Sequence, residues 1–296
     1  MKNRRADPET RLGDKTPSPR ASASPSLHIP LITLLTDFGT ADYFVASVKG
    51  VVLALNPNAR LVDITHEIPP QDVETGAFTL LAAYCSFPTG TIHVAVVDPG
   101  VGSSRRPILI ELDGHFFVGP DNGIFSYVCD SLDNVGVKPN IFHLTNTDYF
   151  RHPVSSTFNG RDVFAPVAAA LSNGVKPCDL GEEIIDIVRL QPLKPVAARD
   201  GNLECRIIHI DRFGNCVTNI SQRELSPEMI SAGASLTLNG ESVRSFKTYF
   251  AEDTGNTDKV FGIWGSAGFL EIAASNHSAA KILKAQRGDP VFVRQA

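Results

Sequence analysis

The sequence predicts an α/β protein, with an amino-terminal α/β domain built on a central, mostly parallel sheet and a smaller carboxy-terminal antiparallel β-barrel domain. Three observations support this prediction. From residue 29 onward, short apolar runs alternate with helix-like segments, as in strand-helix-strand units on a parallel sheet. A segment with two prolines follows at residues 191–198, and proline disfavours both helix and regular strand pairing. Beyond it, apolar residues alternate with a period of two, which is typical of strands with one buried face.

The first domain is predicted to span residues 27–190. Its first elements are a strand at 31–36, a helix at 43–55, a strand at 61–64, a helix at 73–84 and a strand at 91–97. Residues 92–97 carry apolar side chains at both odd and even positions, so we expect this strand to be central and covered on both faces. A strand pair at 108–112 and 115–118 is joined by Asp113-Gly114, a two-residue hairpin signal that predicts a mixed sheet here.

The second domain is predicted to span residues 199–296, after a linker at residues 191–198. Residues 203–210 and 234–246 alternate with period two, and Asn239-Gly240 interrupts the second stretch with another hairpin signal. Short strands joined by tight turns pair antiparallel with their neighbours. We therefore expect a small antiparallel barrel.

Composition excludes several classes of partner. The net charge of -5 leaves no basic surplus for a nucleic-acid backbone or an anionic membrane. The five cysteines show neither a CxxC pair nor zinc-site spacing, as expected of thiols in a reducing compartment. Residues 1–26 are rich in basic residues, proline and serine and lack the apolar core of a signal peptide, so we predict a disordered tail and a cytoplasmic location.

Polar residues that follow the strands are the first candidates for a site, because ligands of parallel sheets bind beyond the carboxyl ends of the strands. Asp37 follows the first strand, where its carboxylate could accept hydrogen bonds from two ribose hydroxyls. A helix N-cap or a turn would explain Asp37 equally well. Asp98 follows the central strand, and Arg105 stands seven positions later, a spacing that allows the two to pair. A purely structural salt bridge would explain this pair as well.

Three further polar segments are candidates for the site. Residues 155–164, which include Phe158 and Asn159, precede an apolar helix, and a helix cap with a surface ion pair would account for them. The segment from Asp211 to Asn215 interrupts a strand, and Ser266 lies in a short polar turn after the single tryptophan. Both segments have the composition of ordinary turns and of functional loops alike.

Taken together, these segments resemble the S-adenosylmethionine hydroxide adenosyltransferase family, which also contains halogenating enzymes that act on the same substrate. The resemblance runs from about residue 30 to residue 293. Its markers are TDFGT at 36–40, KGV at 49–51, DITHEIPPQDV at 63–73, VVDPGVGSSR at 96–105, VGPDNG at 118–123, STFNGRDVFAP at 156–166, IDRFGNCVTNI at 210–220 and GSAGFLEIA at 265–273. So many matches in the same order make coincidence implausible.

The resemblance implies a homotrimer in which each active site lies between the amino-terminal domain of one subunit and the barrel domain of its neighbour. It implies no metal and no cofactor, since S-adenosyl-L-methionine is the substrate. Asp37 would hold the ribose hydroxyls, while Asp211 and Asn215 would bind the methionine part. Phe158 and Ser266 are also assigned to substrate binding by their positions in the matching motifs.

The resemblance further implies hydrolysis of S-adenosyl-L-methionine to adenosine and L-methionine by attack of water on the ribose C5′. The family's hydrolytic group is an Asp-Arg-His set, of which Asp98 and Arg105 match the first two members. Asn159 stands where the hydrolases usually carry histidine. Asp98 would orient the water and accept its proton, Arg105 would fix the carboxylate, and Asn159 would hold the water through its amide.

Two other functions are compatible with the same motifs. The first is attack of a halide on the same carbon, as in the halogenating branch, although a carboxylate at Asp98 would repel an anion in a poorly screened pocket. The second is a noncatalytic protein that binds S-adenosylmethionine or adenosine, which the departure at Asn159 favours. Detection of adenosine, with and without halide, separates the three.

Overall fold

The computed structural model of the chain describes residues 30–133, 136–197, 203–252 and 259–294. The predicted tail at residues 1–26 lies outside these ranges. Within them, the strands form one sheet of seven and one of nine. No helix in the described ranges combines the length and the apolar character that crossing a bilayer requires. The exact limits proposed for the two domains and their linker stay predictions.

The first sheet is parallel on one side and antiparallel on the other. Its strands are β1 (Leu31–Thr36), β2 (Arg60–Thr65), β3 (Ile92–Val96), β4 (Pro107–Leu112), β5 (His115–Pro120), β6 (Asn140–His143) and β7 (Glu182–Ile184). They lie in the order β2-β1-β3-β5-β4-β6-β7, and the first four of these pair in parallel. The prediction of a mostly parallel sheet with a mixed region is confirmed. β3 lies between β1 and β5 with every residue buried, as its continuous apolar run predicted.

Helices cover both faces of this sheet. They are α1 (Phe44–Leu55), α2 (Val73–Tyr84), α3 (Ser126–Asp133), α4 (Ala165–Ser172) and α5 (Pro177–Leu180). Ile32 and Leu34 of β1 pack with α1 and α4 in one core, whereas Leu35 packs with α2 and α3 in the other. Successive side chains of a strand point to opposite faces, so one apolar strand contributes to two cores.

The second sheet curls into a half-barrel and is mostly antiparallel. Its strands are β8 (Val196–Ala197), β9 (Leu203–Ile210), β10 (Cys216–Thr218), β11 (Ser235–Leu238), β12 (Glu241–Val243), β13 (Phe246–Lys247), β14 (Phe261–Trp264), β15 (Leu270–Ala273) and β16 (Pro290–Arg294), accompanied by helices α6 (Pro227–Ser231) and α7 (Ala279–Leu283). The predicted hairpin turn at Asn239-Gly240 joins β11 to β12, with φ of 50° and 82° at its two residues. β8 lies inside the predicted linker and pairs with β9.

Helix α2, which covers the first sheet, also contacts the second sheet. The Phe78 ring packs against His209 and Phe269, with ring centroids 5.2 and 6.1 Å apart. Two ion pairs flank these rings: Arg287 contacts Asp72 at 2.6 Å, and Arg206 contacts Glu74 at 3.1 Å. Apolar packing flanked by ion pairs holds the two sheets in a fixed arrangement.

Two histidines lie in the core between the first sheet and α2. His93 is fully buried, with Nδ1 2.7 Å from Thr33 Oγ1 and Nε2 3.2 Å from His115 Nδ1. Burial, and then the neighbouring His115, lowers the pKa of His93 to about 3. Burial also lowers the pKa of His115, against the opposing charge of Asp113. Both rings are therefore neutral near pH 7.

We expect this pair to make the fold sensitive to acid. The pKa of His93 is about 3 in the folded chain and 6.5 without the fold. The unfolded chain therefore binds more protons between these pH values, and the free energy of unfolding falls as pH drops below 6.5. One such group contributes a loss of about 2 kcal/mol between pH 7 and pH 5, since each pKa unit is worth about 1.4 kcal/mol.

The variant His93→Gln removes this titration, so urea unfolding should show a smaller loss of stability between pH 7 and pH 5 than in the wild type. His277 is exposed and serves as the control, because His277→Gln should keep the full wild-type loss. If the free energy of unfolding depends on pH in the same way in all three proteins, His93 is not the group responsible for the loss.

Candidate active site

The candidate site lies at the edge of the first sheet where its parallel strands end. Asp37 directly follows β1, and Asp98 comes after β3. β4 runs antiparallel to β5 and therefore begins at this edge, which brings Arg105 back beside Asp98. Phe158 and Asn159 reach the same place from the turn that leads into α4. A cavity of about 320 Å³ is formed here, lined by Asp37, Phe38, Phe44, Pro70, Gln71, Val96, Asp98, Val101, Thr157, Phe158, Asn159 and Gly160.

Asp98 and Arg105 form a buried, bidentate ion pair. Arg105 Nε donates to Asp98 Oδ1 at 2.7 Å, and Nη2 donates to Oδ2. Their side chains are only 5% and 9% exposed. The third guanidinium nitrogen, Nη1, has no hydrogen-bond partner among the described residues, and the group lies 5.6 Å from the centre of the Phe164 ring. The two parallel hydrogen bonds leave the carboxylate little freedom to rotate.

Asn159 forms a further hydrogen bond with Arg105 of this pair. The orientation of its amide is assigned from its hydrogen bonds: the oxygen accepts from Arg105 Nη2 at 2.9 Å, and the nitrogen donates to Ser155 O at 3.2 Å. Arg105 thus lies between Asp98 and Asn159. The structure brings together all three residues that the resemblance assigns to hydrolysis.

The two loops that carry these residues approach each other closely at Gly102. A Cβ atom at this position would lie 2.2 Å from Ser156 O, and the φ of Gly102 is +79°. Glycine is therefore needed both for the backbone conformation and for the space. The close neighbour of Gly102 is the Ser156 carbonyl of the facing loop.

Asp37 is held at the cavity by backbone. Its Oδ2 accepts from Gln71 N at 2.8 Å. The N-cap position of α1 is Tyr43, so Asp37 does not cap that helix. Beside it, the buried Phe158 ring lies edge-on to Phe38 and Phe44, with centroids 5.9 and 5.2 Å apart. The cavity thus combines two carboxylates with an aromatic wall.

The remaining predicted residues lie on the second sheet. Asp211 Oδ1 accepts from the backbone amides of Phe213 and Asn215 at 2.9 and 2.8 Å, and its Oδ2 accepts from Asn215 Nδ2 at 2.8 Å. Asn215 and the 78% exposed Phe213 line a different cavity, of about 840 Å³. Ser266 is exposed in the turn between β14 and β15 and lines neither cavity. Within one chain, these residues are not brought to Asp37 and Asp98.

Sequence reasoning missed several contributors to the site. Gln71 and Ser155 act through backbone atoms, which carry no signature in the side chain. Phe38 and Phe44 lie in or near the TDFGT motif, and only the fold makes them neighbours of Phe158. Among the described residues, no cluster of three or more His, Cys, Asp or Glu side chains is arranged to hold a metal ion.

Comparison with known proteins identifies relatives over almost the whole chain. Residues 32–181 match the SAM hydroxide adenosyltransferase N-terminal domain, and residues 205–292 match the C-terminal domain of the same family. The (R)-S-adenosyl-L-methionine hydrolase of Methanocaldococcus jannaschii is 36% identical over 278 residues, which cover 90% of this chain and 96% of the relative. A fluorinase from an Actinoplanes species is 27% identical over 297 residues, covering 90% of this chain and 98% of the relative.

A solved structure supports the fold. The crystal structure of an uncharacterized conserved protein from Thermotoga maritima superposes with a TM-score of 0.78 at 32% identity, covering 89% of this chain and all of that one.

Substitution of Gly102 should disturb the junction of the two site loops. We expect Gly102→Ala to lower the free energy of unfolding by about 1–3 kcal/mol from the positive φ alone, with a further cost from the contact to Ser156 O. Gly100 is the matched control in the same loop, because a Cβ there would have its nearest neighbour at 3.4 Å and no positive φ is involved. Thermal unfolding should show a clear loss for Gly102→Ala and little change for Gly100→Ala. Equal effects would mean that the loops do not meet here.

Proposed function

The chain belongs to the SAM hydroxide adenosyltransferase family, and we propose that it cuts S-adenosyl-L-methionine with water to give adenosine and L-methionine. The observation that carries this proposal is the buried Asp98 carboxylate, held by Arg105 at a cavity that also contains Asp37. The name of the hydrolase relative from Methanocaldococcus jannaschii supports the same reaction.

In the proposed reaction, the oxygen of a water molecule forms a bond to the ribose C5′ while the bond from C5′ to sulfur breaks. The sulfur keeps the electron pair and leaves as the neutral thioether of methionine, so the leaving group needs no acid. Asp98 orients the water and accepts its proton as the new bond forms. Positioning of water and substrate in line, away from bulk solvent, is the main requirement. We assign no step to a metal or a cofactor.

Asp37 is proposed to accept hydrogen bonds from the ribose hydroxyls. One of its oxygens already accepts from Gln71 N, which fixes the carboxylate and leaves lone pairs for both hydroxyls. Asn159 has a different task from that of a histidine, because an amide does not exchange protons near neutral pH. We propose that it holds Arg105 with its oxygen and offers its second N–H to the water.

Halide attack on the same carbon is disfavoured by Asp98. Two like charges 4 Å apart repel by about 4 kcal/mol at an effective dielectric constant near 20, and this pair is largely shielded from solvent. Arg105 offsets only part of this repulsion, because Asp98 lines the cavity and Arg105 does not. The fluorinase relative is also the more distant of the two compared enzymes.

We further propose that the active protein is a homotrimer with each site shared between subunits. Asp37 and Asp98 line one cavity, while Asn215 lines another with an exposed Phe213, so each chain offers two half-sites of complementary chemistry. In this assembly Asp211, Asn215 and Ser266 of a neighbour would bind the methionine part, with Phe158 against the substrate.

A cytoplasmic location, without nucleic-acid or membrane partners, is proposed from two properties. The net charge is -5, and all five cysteines are unpaired thiols.

The product assay has three informative variants. Wild-type protein incubated with S-adenosyl-L-methionine should release adenosine at a rate that chloride and fluoride do not raise. Asp98→Ala should lower kcat by at least 100-fold while the Kd for substrate, measured by calorimetry, changes little, because the proton acceptor is lost. Asn159→Ala should lower kcat by less, and Asn159→His should retain activity. Full activity in Asp98→Ala would exclude the role assigned to this carboxylate.

Failure of the wild type to form adenosine, with activity gained in Asn159→His, would instead favour the noncatalytic binding protein. A 5′-halogenated nucleoside formed only with halide would favour the halogenating reaction.

Sharing of sites between subunits predicts complementation. Asp98→Ala and Asn215→Ala should each be inactive at low substrate concentration. When the two chains are co-expressed, a site that takes Asp98 from one chain and Asn215 from another is intact, so random assembly restores about a quarter of wild-type activity. The control is co-expression of Asp98→Ala with Asp37→Ala, which damage the same half-site and should restore nothing. Co-assembly without recovered activity would show that both halves of each site come from one chain.

A further inference from the structure

Asp162 is a fully buried carboxylate that lies just outside the cavity and that the proposed reaction does not use. It belongs to a π-helical turn, Gly160–Phe164, which leads from the cavity into α4. Its side chain is 0% exposed and does not line the cavity. The sequence offered a surface ion pair as the simplest explanation of this segment, and the burial of Asp162 excludes that explanation.

Every lone pair of the Asp162 carboxylate is matched by a donor. Oδ1 accepts from Arg161 Nε at 2.7 Å and from Arg151 Nη1 at 3.0 Å. Oδ2 accepts from Arg161 Nη2 at 2.8 Å and from Ser155 N at 2.9 Å. Burial alone would raise the pKa of Asp162, but the hydrogen bonds from Arg161, Ser155 and Arg151 outweigh it and hold the pKa below its usual range. The group is a fixed anion.

Ser155 connects this anion to the site through its own backbone. Its N–H donates to Asp162 Oδ2, and its carbonyl oxygen accepts from Asn159 Nδ2 at 3.2 Å. Asn159 in turn accepts from Arg105 Nη2, which belongs to the pair with Asp98. A series of hydrogen bonds, joined through the Ser155 backbone, therefore runs from Asp162 to Asp98. The same anion holds Arg161, whose guanidinium lies 5.0 Å from the centre of the Phe158 ring.

We propose that Asp162 is a positioning residue for the hydrolysis, which fixes the Asn159 amide against Arg105 by way of the Ser155 backbone. This inference rests on the proposed function. Asp162 touches neither substrate nor water in this account. Asp162 aligns Asn159, and Asn159 in turn orients the Arg105 guanidinium. The guanidinium then sets the direction of the Asp98 carboxylate.

The substitution Asp162→Asn tests this role with little change in volume. An amide nitrogen would face one of the donors that now point at the carboxylate, so the Ser155 N–H or an arginine must turn away. Misplacement of a catalytic group by about 1 Å is enough to cost about 100-fold in rate. We expect kcat to fall by about 10- to 100-fold and KM to change by less than about threefold, since Asp37, the proposed ribose-binding residue, is held by Gln71 N and not by Asp162.

A double-mutant cycle with Asn159→Ala separates positioning from general structural support. If Asp162 acts through Asn159, then adding Asp162→Asn to Asn159→Ala should change kcat by less than about twofold. If Asp162→Asn lowers kcat by the same factor in the wild type and in Asn159→Ala, the proposal is overturned. Arg151 is 47% exposed, so Arg151→Ala provides a milder variant that should fold and lower kcat in the wild-type background only.

Asp121 is a matched control, because it is also buried and accepts from an arginine, Arg106, and from a backbone amide, that of Val188. Asp121→Asn should lower the melting temperature without the fall in kcat. A similar fall in kcat for Asp121→Asn would overturn the positioning role of Asp162.

Hydrolysis and the positioning role of Asp162 are tested by different measurements. Absence of adenosine from the wild-type reaction would refute hydrolysis itself. In that case the crystal structure of Asp162→Asn still decides the positioning role. The distance from Asn159 Oδ1 to Arg105 Nη2, 2.9 Å in the wild type, should lengthen beyond hydrogen-bond range. An unchanged distance would overturn the proposal.

Discussion

The buried ion pair between Asp98 and Arg105 is the constraint on which the site depends. Removal of two charges from water costs several kcal/mol per ion, and only well-aligned hydrogen bonds offset that cost. The bidentate contact supplies this alignment, and Asn159 satisfies a further donor of the guanidinium. The surrounding loops must therefore keep their positions closely: Gly102 lies directly against the Ser156 carbonyl, and Ser155 is hydrogen-bonded through both its backbone N–H and its carbonyl oxygen.

The topology of the sheet places this pair where a reaction can use it. Parallel strands β1 and β3 end at the same edge, and the antiparallel β4 starts there, so one short loop returns an arginine to a carboxylate. A wholly parallel sheet would have needed a crossover before the next strand. The packing of α2 against the second sheet then fixes where the Asn215 cavity lies relative to this edge. Fold and chemistry are connected through these few junctions.

Much of this arrangement is predictable from sequence where the cause is local. Apolar periodicity predicted β1, β3 and α2 to within one or two residues, and the hairpins at Asp113-Gly114 and Asn239-Gly240 follow from the ease with which these residues adopt positive φ. The spacing of Asp98 and Arg105 indicated that the two could pair, and it left open whether the pair serves the reaction or only the structure.

The features that sequence reasoning missed depend on contacts between distant segments. Nothing local in Gly102 indicates that its neighbour is the Ser156 carbonyl. The burial of Asp162 could not be foreseen either, because a charged residue beside an arginine has the pattern of an exposed pair. The π-helical turn at Gly160–Phe164 contains Asp162, whose carboxylate accepts from Arg161 in the turn and from Arg151 and the Ser155 N–H outside it.

The most direct test of hydrolysis at C5′ is to trace the oxygen atom of water into the product. Reaction of S-adenosyl-L-methionine in water enriched in ¹⁸O, analysed by mass spectrometry, should give adenosine that carries one ¹⁸O atom in its 5′-hydroxyl, with unlabelled L-methionine. This result is expected because the water held at Asp98 forms the new bond to C5′. Adenosine without the label, or label found only in the methionine product, would contradict attack of water at that carbon.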